Sequence, residues 1–359
     1  MSAGGFAVTA TRAGVVESVH RVHAVVADRY GRLQVWGDRR RPTIARSAIK
    51  SIQALPIVVS GAAAAFDLAD HELALACASH SGESEHVVAV TAWLRRLGLS
   101  EEDLECGPDR PLGTSARRAF IAAGGELRPI LNGCSGKHAG FLTVARHLGA
   151  PMAGYIDASS AVQRHVTATV GHLTGVDLAT VPTGVDGCGI PVHVLPLERL
   201  AFAMARLVDP VDLDDDVAAA TPRIVAAAQL AFWVAGPGRT ESWVADHAVE
   251  PVVVKTGAEG VFMAALPERG LGLALKVDDG TPRASRAAVK RLLAELGALD
   301  DGRGGQPVAI VNKAGREVGE LGVEMANPEQ ATLDRGQVPT LAEGRAPGRA
   351  GPLRPRWRQ

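Results

Sequence analysis

The chain has 359 residues, of which 47% are hydrophobic, so it is long enough to bury one large core or two smaller ones. Its 38 basic and 39 acidic side chains give a formal net charge of -1. A charge this close to zero provides no global field for binding nucleic acid or an anionic membrane, so small-molecule chemistry is the favoured class of function.

Two segments bear on where the protein acts. The longest nearly uncharged apolar run, residues 54–66, is shorter than the roughly 20 residues that cross a bilayer. The first residues, MSAGGFAVTATR, have no basic region ahead of an apolar one, so we expect no secretory signal and a cytoplasmic protein. The chain has four cysteines, none of them closely spaced: Cys77, Cys106, Cys134 and Cys188. In a reducing compartment we expect no disulfides between them.

The predicted strands lie near both ends of the chain. Residues 21–38, RVHAVVADRYGRLQVWGD, form two β-rich runs across a DRYGR turn, which predicts a hairpin. Similar runs return at 250–280 and 306–321. Between them the apolar period becomes helical, and SEHVVAVTAWLRRLG predicts a helix with Ser84 as N-cap and Gly98 as its stop signal.

Strands at both ends and helices in the middle predict an α+β fold. We expect one antiparallel sheet from about residues 8–40 and 250–321, with a helical region of about 47–235 inserted between them. These segments form one domain, 1–326. The remaining residues, 327–359, are rich in Pro, Gly and Arg, which predicts a disordered tail; transient RNA or membrane contact is the less favoured alternative.

The stretch LNGCSGKHAGFL, residues 131–142, is similar to a phosphate-binding loop but departs from it in two places. A P-loop has four residues between its two glycines and a Ser or Thr after its lysine. Here Leu131 occupies the position of the first glycine, and His138 replaces the Ser or Thr that would hold magnesium. Nucleotide binding is therefore not expected, and Cys134 and Lys137 need another explanation.

Lysine is rare in this sequence. Of the 38 basic residues, six are lysines: residues 50, 137, 255, 276, 290 and 313. An ammonium group can lose its proton when it is desolvated, whereas a guanidinium effectively never does. Each lysine is therefore a candidate for chemistry, with a simple surface charge as the alternative.

Two short motifs favour an activated serine. Ser47 and Lys50, in ARSAIKSIQALP, stand three residues apart, on one face of a predicted helix. This spacing alone is a weak indication, but Lys-Thr-Gly also occurs once, at 255–257, in a late β-rich run. The two together are typical of serine β-lactamases and penicillin-binding proteins. A lysine activates serine only when it is neutral, and burial with a second cation nearby favours the neutral form.

Three further motifs have open interpretations. The segment CASHSGESEH contains Ser79, which fits a helix-terminal hydroxyl as well as a functional one. Cys134 and Cys188 each lie in a glycine-rich turn before an apolar stretch. If the two turns converge, their thiolates could bind Zn²⁺, which takes four ligands from Cys, His or carboxylate. There is no Cys-x-x-Cys spacing, and two buried, inert thiols are the alternative.

Five motifs in one order resemble the bacterial asparaginase II family, the Rhizobium-type asparaginases that are distinct from the threonine-nucleophile enzymes. The motifs are RSAIKSIQALP, ASHSGE, NGCSGKHAGFL, GVDGCGIPVHVLPL and KTGAEGVF. The resemblance runs from about residue 8 to residue 325 and does not cover the tail. It implies a fold similar to that of serine β-lactamases and glutaminases.

The resemblance also implies roles for individual residues. It implies two adjacent catalytic Ser–Lys pairs: Ser47 with Lys50 and Ser79 with Lys255. It implies a zinc ion beside the substrate pocket, held by three ligands: Cys134, Lys137 and Cys188. We expect four residues to bind the substrate, the last of them through its α-amino group: Arg46, His80, Asn132 and Asp186.

The function we expect is hydrolysis of L-asparagine to aspartate and ammonia through an acyl-enzyme. Neutral Lys50 would take the proton of Ser47, which is the favoured nucleophile because a helix N-terminus stabilises a developing alkoxide. Ser79 and Lys255 would relay protons. The alternatives are an amidase or glutaminase of related fold and a non-catalytic protein that binds an amino acid or zinc. For a cytoplasmic enzyme of this size we expect a homodimer.

Overall fold

A computed structural model of the chain describes residues 5–300 and 306–334, without the side chains of residues 231 and 232. These residues form two compact units. The first unit contains residues 5–49, 194–210 and the described part of 237–334, and the second contains residues 50–193 and 211–236. None of the described helices is long and apolar enough to cross a membrane.

Twelve strands are present among the described residues. Their bounds are β1 Phe6–Arg12, β2 Val15–Asp28, β3 Arg32–Trp36, β4 Pro42–Ile44, β5 Thr183–Val185, β6 Pro191–Pro196, β7 Val253–Thr256, β8 Val261–Leu266, β9 Leu271–Val277, β10 Val308–Val311, β11 Glu317–Glu324 and β12 Glu329–Thr332.

Twelve α-helices accompany these strands in the described part of the chain. Their bounds are α1 Lys50–Val59, α2 Ala62–Ala65, α3 Asp70–Cys77, α4 Ser84–Arg96, α5 Thr114–Ala122, α6 Ser135–His147, α7 Ala161–Thr174, α8 Leu197–Val208, α9 Asp215–Gln229, α10 Ala231–Ala235, α11 Thr240–His247 and α12 Pro282–Glu295. Short 3-10 helices include Arg46–Ile49, directly before α1, and Pro129–Leu131, shortly before α6.

The first unit is built on a nine-stranded antiparallel sheet. Seven strands follow the order β10-β11-β1-β2-β9-β8-β7, and β3 pairs with both β2 and β12. The predicted hairpin is formed by β2 and β3, with Ala24 opposite Trp36. Since all nine strands come from the two ends of the chain, the prediction of an α+β fold with a sheet from both terminal segments is confirmed.

Helices cover both faces of this sheet. Leu273, Leu275 and Val277 alternate along β9 and pack in one buried cluster with apolar residues of α12. The helix α8 packs on the other face, against β2, β8 and β9. At Gly272 a Cβ atom would lie only 2.1 Å from the carbonyl oxygen of Ala201, so this glycine lets α8 approach the sheet closely.

The second unit is predominantly helical, as predicted for the middle of the chain. The helices α1, α3, α6, α7 and α9 pack against one another. All residues of α6 from Ser135 to Ala145 are buried. At Gly136 a Cβ atom would lie 2.7 Å from the carbonyl oxygen of Leu75, so the first turn of α6 packs directly on α3. This packing fixes the position of the turn that carries Cys134.

Two predicted boundaries differ from the structure. The helix α4 has Glu83 rather than Ser84 as its N-cap residue, because Ser84 already has helical geometry, and Gly98 follows its end with φ 68°. Beyond residue 326, β12 pairs with β3 and adds a strand to the sheet. The Pro-, Gly- and Arg-rich part of the predicted tail, from residue 335 onward, lies outside the described residues.

Candidate active site

Lys50 and Ser79 are in direct contact in the second unit. Lys50 begins α1 and is fully buried, and Ser79, just after α3, is half-buried. The Nζ atom of Lys50 donates hydrogen bonds of 2.9 Å to Ser79 Oγ and to the carbonyl oxygen of Ala78. This contact joins one member of each Ser–Lys pair predicted from the sequence. The predicted pairs themselves combine residues of different units and stay predictions.

The surroundings of Lys50 favour a neutral amine. Burial lowers the pKa of Lys50, and the nearby charge of Lys137 lowers it further. The sulfur atoms of Cys134 and Cys188 act in the opposite direction without outweighing burial. Burial and Lys137 therefore shift Lys50 towards the neutral form that a lysine general base requires.

The three predicted zinc ligands lie together. Cys134 is the N-cap residue of α6, Lys137 lies in its first turn, and Cys188 lies in the loop between β5 and β6. Lys137 Nζ donates a hydrogen bond to Cys188 Sγ at 3.2 Å. The Cys188 thiol is hydrogen-bonded to Cys134, which holds the pKa of Cys134 well below its usual value and raises the pKa of Cys188. These shifts favour a thiolate at Cys134, a thiol at Cys188 and an ammonium group at Lys137.

The donor set of this cluster fits a zinc ion. Zinc accepts cysteine sulfur and nitrogen ligands, and Cys134 and Cys188 supply two sulfur atoms. In the described part of the chain, no three His, Cys, Asp or Glu side chains are grouped so that they could hold a metal. A zinc ion at this point would therefore need Lys137 as its third ligand. Without metal, the charges of the two sulfur atoms raise the pKa of Lys137 despite its burial, so the amine would have to lose a proton on binding.

Asp186 lies at the start of the turn that carries Cys188. The backbone N–H groups of Asp186 and Gly189 bond to Ile190 and Asp186, which closes the turn between β5 and β6. The Cys188 Sγ atom lies 4.0 Å from Asp186 Oδ2. Asp186 is half-buried, so one carboxylate lies beside the cysteine cluster. Its predicted contact with a substrate amino group stays a prediction.

Asn132 ties the Cys134 turn to a neighbouring loop. Its Nδ2 atom donates to the carbonyl oxygens of Cys106 at 2.9 Å and Gly107 at 3.2 Å. Its Oδ1 atom accepts from the Cys134 N–H at 2.9 Å. Both ends of the amide are therefore bound to backbone, which favours a positioning role; substrate binding by Asn132 stays a prediction.

His80 is fully buried beneath the same turn. Its Nε2 atom lies 2.7 Å from Ser135 Oγ, and that hydroxyl donates to the carbonyl oxygen of Ile130. The His80 Nε2–H group is therefore the donor to Ser135. Burial lowers the pKa of His80 to about 3, and the charges of His86 and Lys50 act in the same direction. His80 is thus a neutral, buried ring, and its predicted contact with substrate stays a prediction.

His138 forms a second buried contact that the sequence did not assign. Its Nδ1 atom lies 2.7 Å from the hydroxyl of Tyr155, which accepts a hydrogen bond from the Glu105 N–H. Burial, with the nearby charges of Lys137 and Lys50, holds the pKa of His138 well below its usual value. The position of His138 within NGCSGKHAGFL could have indicated that it belongs to the site. Nothing in the sequence indicates Tyr155.

Ser47 lies in the first unit beside the Lys-Thr-Gly strand. It belongs to the 3-10 helix Arg46–Ile49, and at Gly257 a Cβ atom would lie 2.7 Å from the carbonyl oxygen of Ala45. The end of β7 therefore packs directly against the turn that carries Ser47. Arg46, which precedes it, has φ 51°, a left-handed conformation that is uncommon for a residue with a side chain. Such strain is often found at functional sites.

Lys255 is buried at the end of β7 beside a glutamate that the sequence did not indicate. Its Nζ atom lies 3.7 Å from Glu241 Oε1 and donates to the carbonyl oxygen of Thr256 at 2.7 Å. Burial alone would raise the pKa of Glu241, but the charges of Lys255 and Arg239 outweigh it and lower that pKa. Glu241 belongs to no recognisable motif, so only the fold identifies it.

Two cavities in the first unit contain none of the predicted site residues. Their volumes are about 390 and 440 Å³, and both are lined by residues of α11 and α12, including Trp243 and Lys290. These cavities therefore do not help to identify the predicted site.

Three solved structures are similar to this chain at low identity. A "probable glutaminase ybaS" is 15% identical with a TM-score of 0.41, and the match covers 79% of this chain and 87% of that one. A "probable glutaminase from Bacillus subtilis complexed with 6-diazo-5-oxo-L-norleucine" is 13% identical with a TM-score of 0.40, covering 77% and 85%. Mglu in 4.3 M NaCl is 17% identical with a TM-score of 0.40, covering 82% and 66%.

These structural similarities carry no information about the substrate. Their TM-scores are below 0.5, and this chain spans only 60% to 67% of the Mglu chains with which it was compared. No curated protein matches the sequence.

A family model gives the informative match. The L-asparaginase II model matches residues 8–323, nearly the extent that the motifs had indicated. The matched range includes all the predicted catalytic, substrate-binding and metal-binding residues. The chain therefore belongs to the L-asparaginase II family and is an amidohydrolase by that membership.

Proposed function

We propose that the protein hydrolyses the side-chain amide of L-asparagine to give L-aspartate and ammonia. The observation that carries this proposal is the buried amine of Lys50, hydrogen-bonded to the hydroxyl of Ser79 at 2.9 Å. Membership of the L-asparaginase II family supports asparagine as the substrate. A buried lysine amine of this kind is suited to take the proton of a serine that attacks an amide carbonyl.

Ser47 is the nucleophile in this proposal. Its hydroxyl proton passes to the neutral amine of Lys50 while its oxygen attacks the carboxamide carbon. Backbone N–H groups stabilise the oxyanion of the tetrahedral intermediate. When the intermediate collapses, the C–N bond breaks and the leaving nitrogen takes the proton that Lys50 received from Ser47. Ammonia departs, an ester remains on Ser47, and the Lys50 amine is neutral again.

Water completes the reaction by attacking the ester. It gives its proton to the Lys50 amine. The C–O bond to Ser47 then breaks, the Ser47 oxygen takes that proton back from Lys50, and aspartate is released. Ser79 is hydrogen-bonded to Lys50 and therefore relays protons between that amine and the leaving ammonia or the incoming water. Lys255, which is paired with the carboxylate of Glu241, supplies positive charge to the site.

A bound zinc ion would be held by Cys134, Lys137 and Cys188. It would supply Lewis-acid chemistry that orients or polarises an oxygen of the substrate. Asp186 lies at the start of the turn that carries Cys188 and offers a carboxylate for the α-amino group of asparagine. Asn132 and His80 hold the Cys134 turn in place through their bonds to Gly107 and Ser135.

A substrate comparison tests this proposal against its closest alternatives. Purified protein is supplied with L-asparagine, L-glutamine or nitrocefin at equal concentrations, and ammonia release or nitrocefin cleavage is followed. We expect the largest kcat/KM for asparagine. A larger value for glutamine would indicate a glutaminase, and nitrocefin cleavage alone would indicate a lactam-directed amidase. A protein that binds asparagine without turnover would be the non-catalytic alternative.

A further inference from the structure

Glu241 and Lys255 form a buried ion pair inside the first unit. Each is only 2% exposed, and Lys255 Nζ lies 3.7 Å from Glu241 Oε1. Lys255 is on β7 and Glu241 is in the first turn of α11, so the pair joins the Lys-Thr-Gly strand to a helix. A buried charge is tolerated when it is paired, and each of these two residues supplies the other's counter-charge.

Glu241 also binds the backbone of the same strand. Its Oε1 atom accepts a hydrogen bond of 3.3 Å from the Thr256 N–H. Lys255 Nζ in turn donates to the Thr256 carbonyl oxygen at 2.7 Å. One carboxylate therefore contacts both the lysine side chain and the peptide unit next to it, which fixes where the ammonium group can lie.

Three elements pack against β7 near Lys255: α11, the 3-10 helix Arg46–Ile49 and β8. The helix α11 contributes Glu241 and is preceded by Arg239, whose guanidinium lies 3.8 Å from Glu241 Oε1. The 3-10 helix packed against β7 contributes Arg46, and the neighbouring strand β8, VFMAAL, contributes no charge. Glu241 is therefore the acid that is paired with both Arg239 and Lys255. Lys50, in contrast, is surrounded in its own unit by Cys134, Lys137 and Cys188.

We propose that Glu241 is a positioning residue that keeps Lys255 in its ammonium form and fixes that group at the end of β7. Lys255 then acts as the charged lysine of the reaction and leaves proton abstraction to Lys50. This inference rests on the proposed function, in which both lysines serve one amidohydrolase reaction. Glu241 itself does not touch the substrate.

The first test measures the charge of Lys255 without using activity. The chain has six lysines, so protein labelled with ¹⁵N-lysine gives at most six side-chain signals. The Lys255 signal is identified by its loss in Lys255→Arg, and its pH titration is compared in wild type and Glu241→Gln. We expect the titration to move down by about 1 to 3 pH units when the carboxylate is removed. An unchanged titration would overturn the proposal.

The second test uses kinetics with a matched control. Glu72 is an equally buried glutamate, paired with Arg96 at 2.6 Å, and has no place in the proposed reaction. For Glu241→Gln we expect kcat to fall more than KM changes, and the alkaline limb of the kcat pH profile to move to lower pH. Glu72→Gln should keep the wild-type profile. Equal profiles for wild type and Glu241→Gln would overturn the proposal.

A conservative variant separates positioning from a general loss of structure. Glu241→Asp keeps the charge but shortens the side chain, so we expect the wild-type titration of Lys255 to be largely restored while kcat recovers only in part. Loss of the Lys255 shift in Glu241→Asp as well as in Glu241→Gln would count against a charge effect. If wild type released no ammonia, the proposed function would fail, whereas the lysine titration would still decide whether Glu241 holds Lys255 charged.

Discussion

At the scale of single residues, Lys50 is the side chain on which the proposed chemistry depends most. Replacing Lys50 by Met keeps most of its volume and removes its amine. We expect ammonia release to fall by about 10²- to 10⁴-fold, the usual contribution of a general base. Lys50→Arg should not restore it, because a guanidinium does not become neutral.

The control for this prediction is an exposed lysine. Lys313 lies in the turn between β10 and β11 and is exposed, so Lys313→Met should keep the wild-type rate. Steady-state kinetics on purified proteins checks the prediction. Wild-type turnover by Lys50→Met would show that another group takes the serine proton.

His80 gives a prediction about stability and pH. Its pKa is lowered from the ordinary histidine value to about 3 in the folded protein, mainly by burial. Between these two values the unfolded chain binds a proton that the folded chain does not, so stability falls as the pH is lowered from about 6.5 towards 3. In His80→Gln we expect the free energy of unfolding to decrease less steeply over this range.

Urea unfolding of both proteins at several pH values measures this slope. His71 is an exposed histidine, and His71→Gln serves as the control that should keep the wild-type slope. Parallel curves for His80→Gln and wild type would contradict the buried, neutral state of His80.

Single residues also show what sequence could and could not predict. Cys134 and Lys137 are three residues apart in one motif, and a lysine inside a glycine-rich turn invites a chemical explanation. Glu241 has no such spacing: its partner Lys255 lies on another element, and only the packing of α11 against β7 brings them together. The contact between Lys50 and Ser79 was missed for the same reason, because the sequence paired each of them with a different partner.

At the scale of elements, the predicted zinc site depends on two glycine-rich turns. One turn precedes α6 and carries Cys134, and the other joins β5 to β6 and carries Cys188. Purified protein should contain close to one zinc ion per chain, and Cys134→Ala or Cys188→Ala should lose most of it, because each removes one of three ligands. Cys77→Ala is the control, since burial raises the pKa of Cys77 to about 12 and it lies outside the cluster.

Metal analysis of the four proteins checks this prediction independently of activity. Zinc retained by both Cys134→Ala and Cys188→Ala would contradict the site. The sequence could predict a zinc site only if the two turns converged, because it gives no distance between Cys134 and Cys188. The structure brings them together where Lys137 Nζ donates a hydrogen bond to Cys188 Sγ.

At the scale of the whole molecule, the period of the apolar residues was sufficient to predict the α+β fold. The β-rich runs near both ends form the sheet, and the runs with helical period in the middle form the helical unit. Each period places the apolar residues on one face only in the matching type of element. The final strand was not predictable. Glu329–Thr332 has no apolar alternation, and its pairing with β3 determines its conformation.

The C-terminal residues give a prediction at this scale. The family match ends at residue 323 and the last described strand ends at Thr332. Deleting residues 335–359 should therefore leave kcat/KM for asparagine within about twofold of wild type. A longer deletion, of residues 328–359, also removes β12 and should lower the free energy of unfolding. Loss of activity in the shorter deletion would assign the tail a role in the reaction.

The proposed reaction also requires a serine that carries the acyl group. The measurement that tests it most directly is ammonia release from L-asparagine by wild type, Ser47→Ala and the exposed control Ser159→Ala. We predict release by wild type and the control, and a loss of several orders of magnitude in Ser47→Ala, as expected when a nucleophile is removed. More than a tenth of wild-type turnover in Ser47→Ala, or a wild type that releases no ammonia, would contradict the proposed reaction.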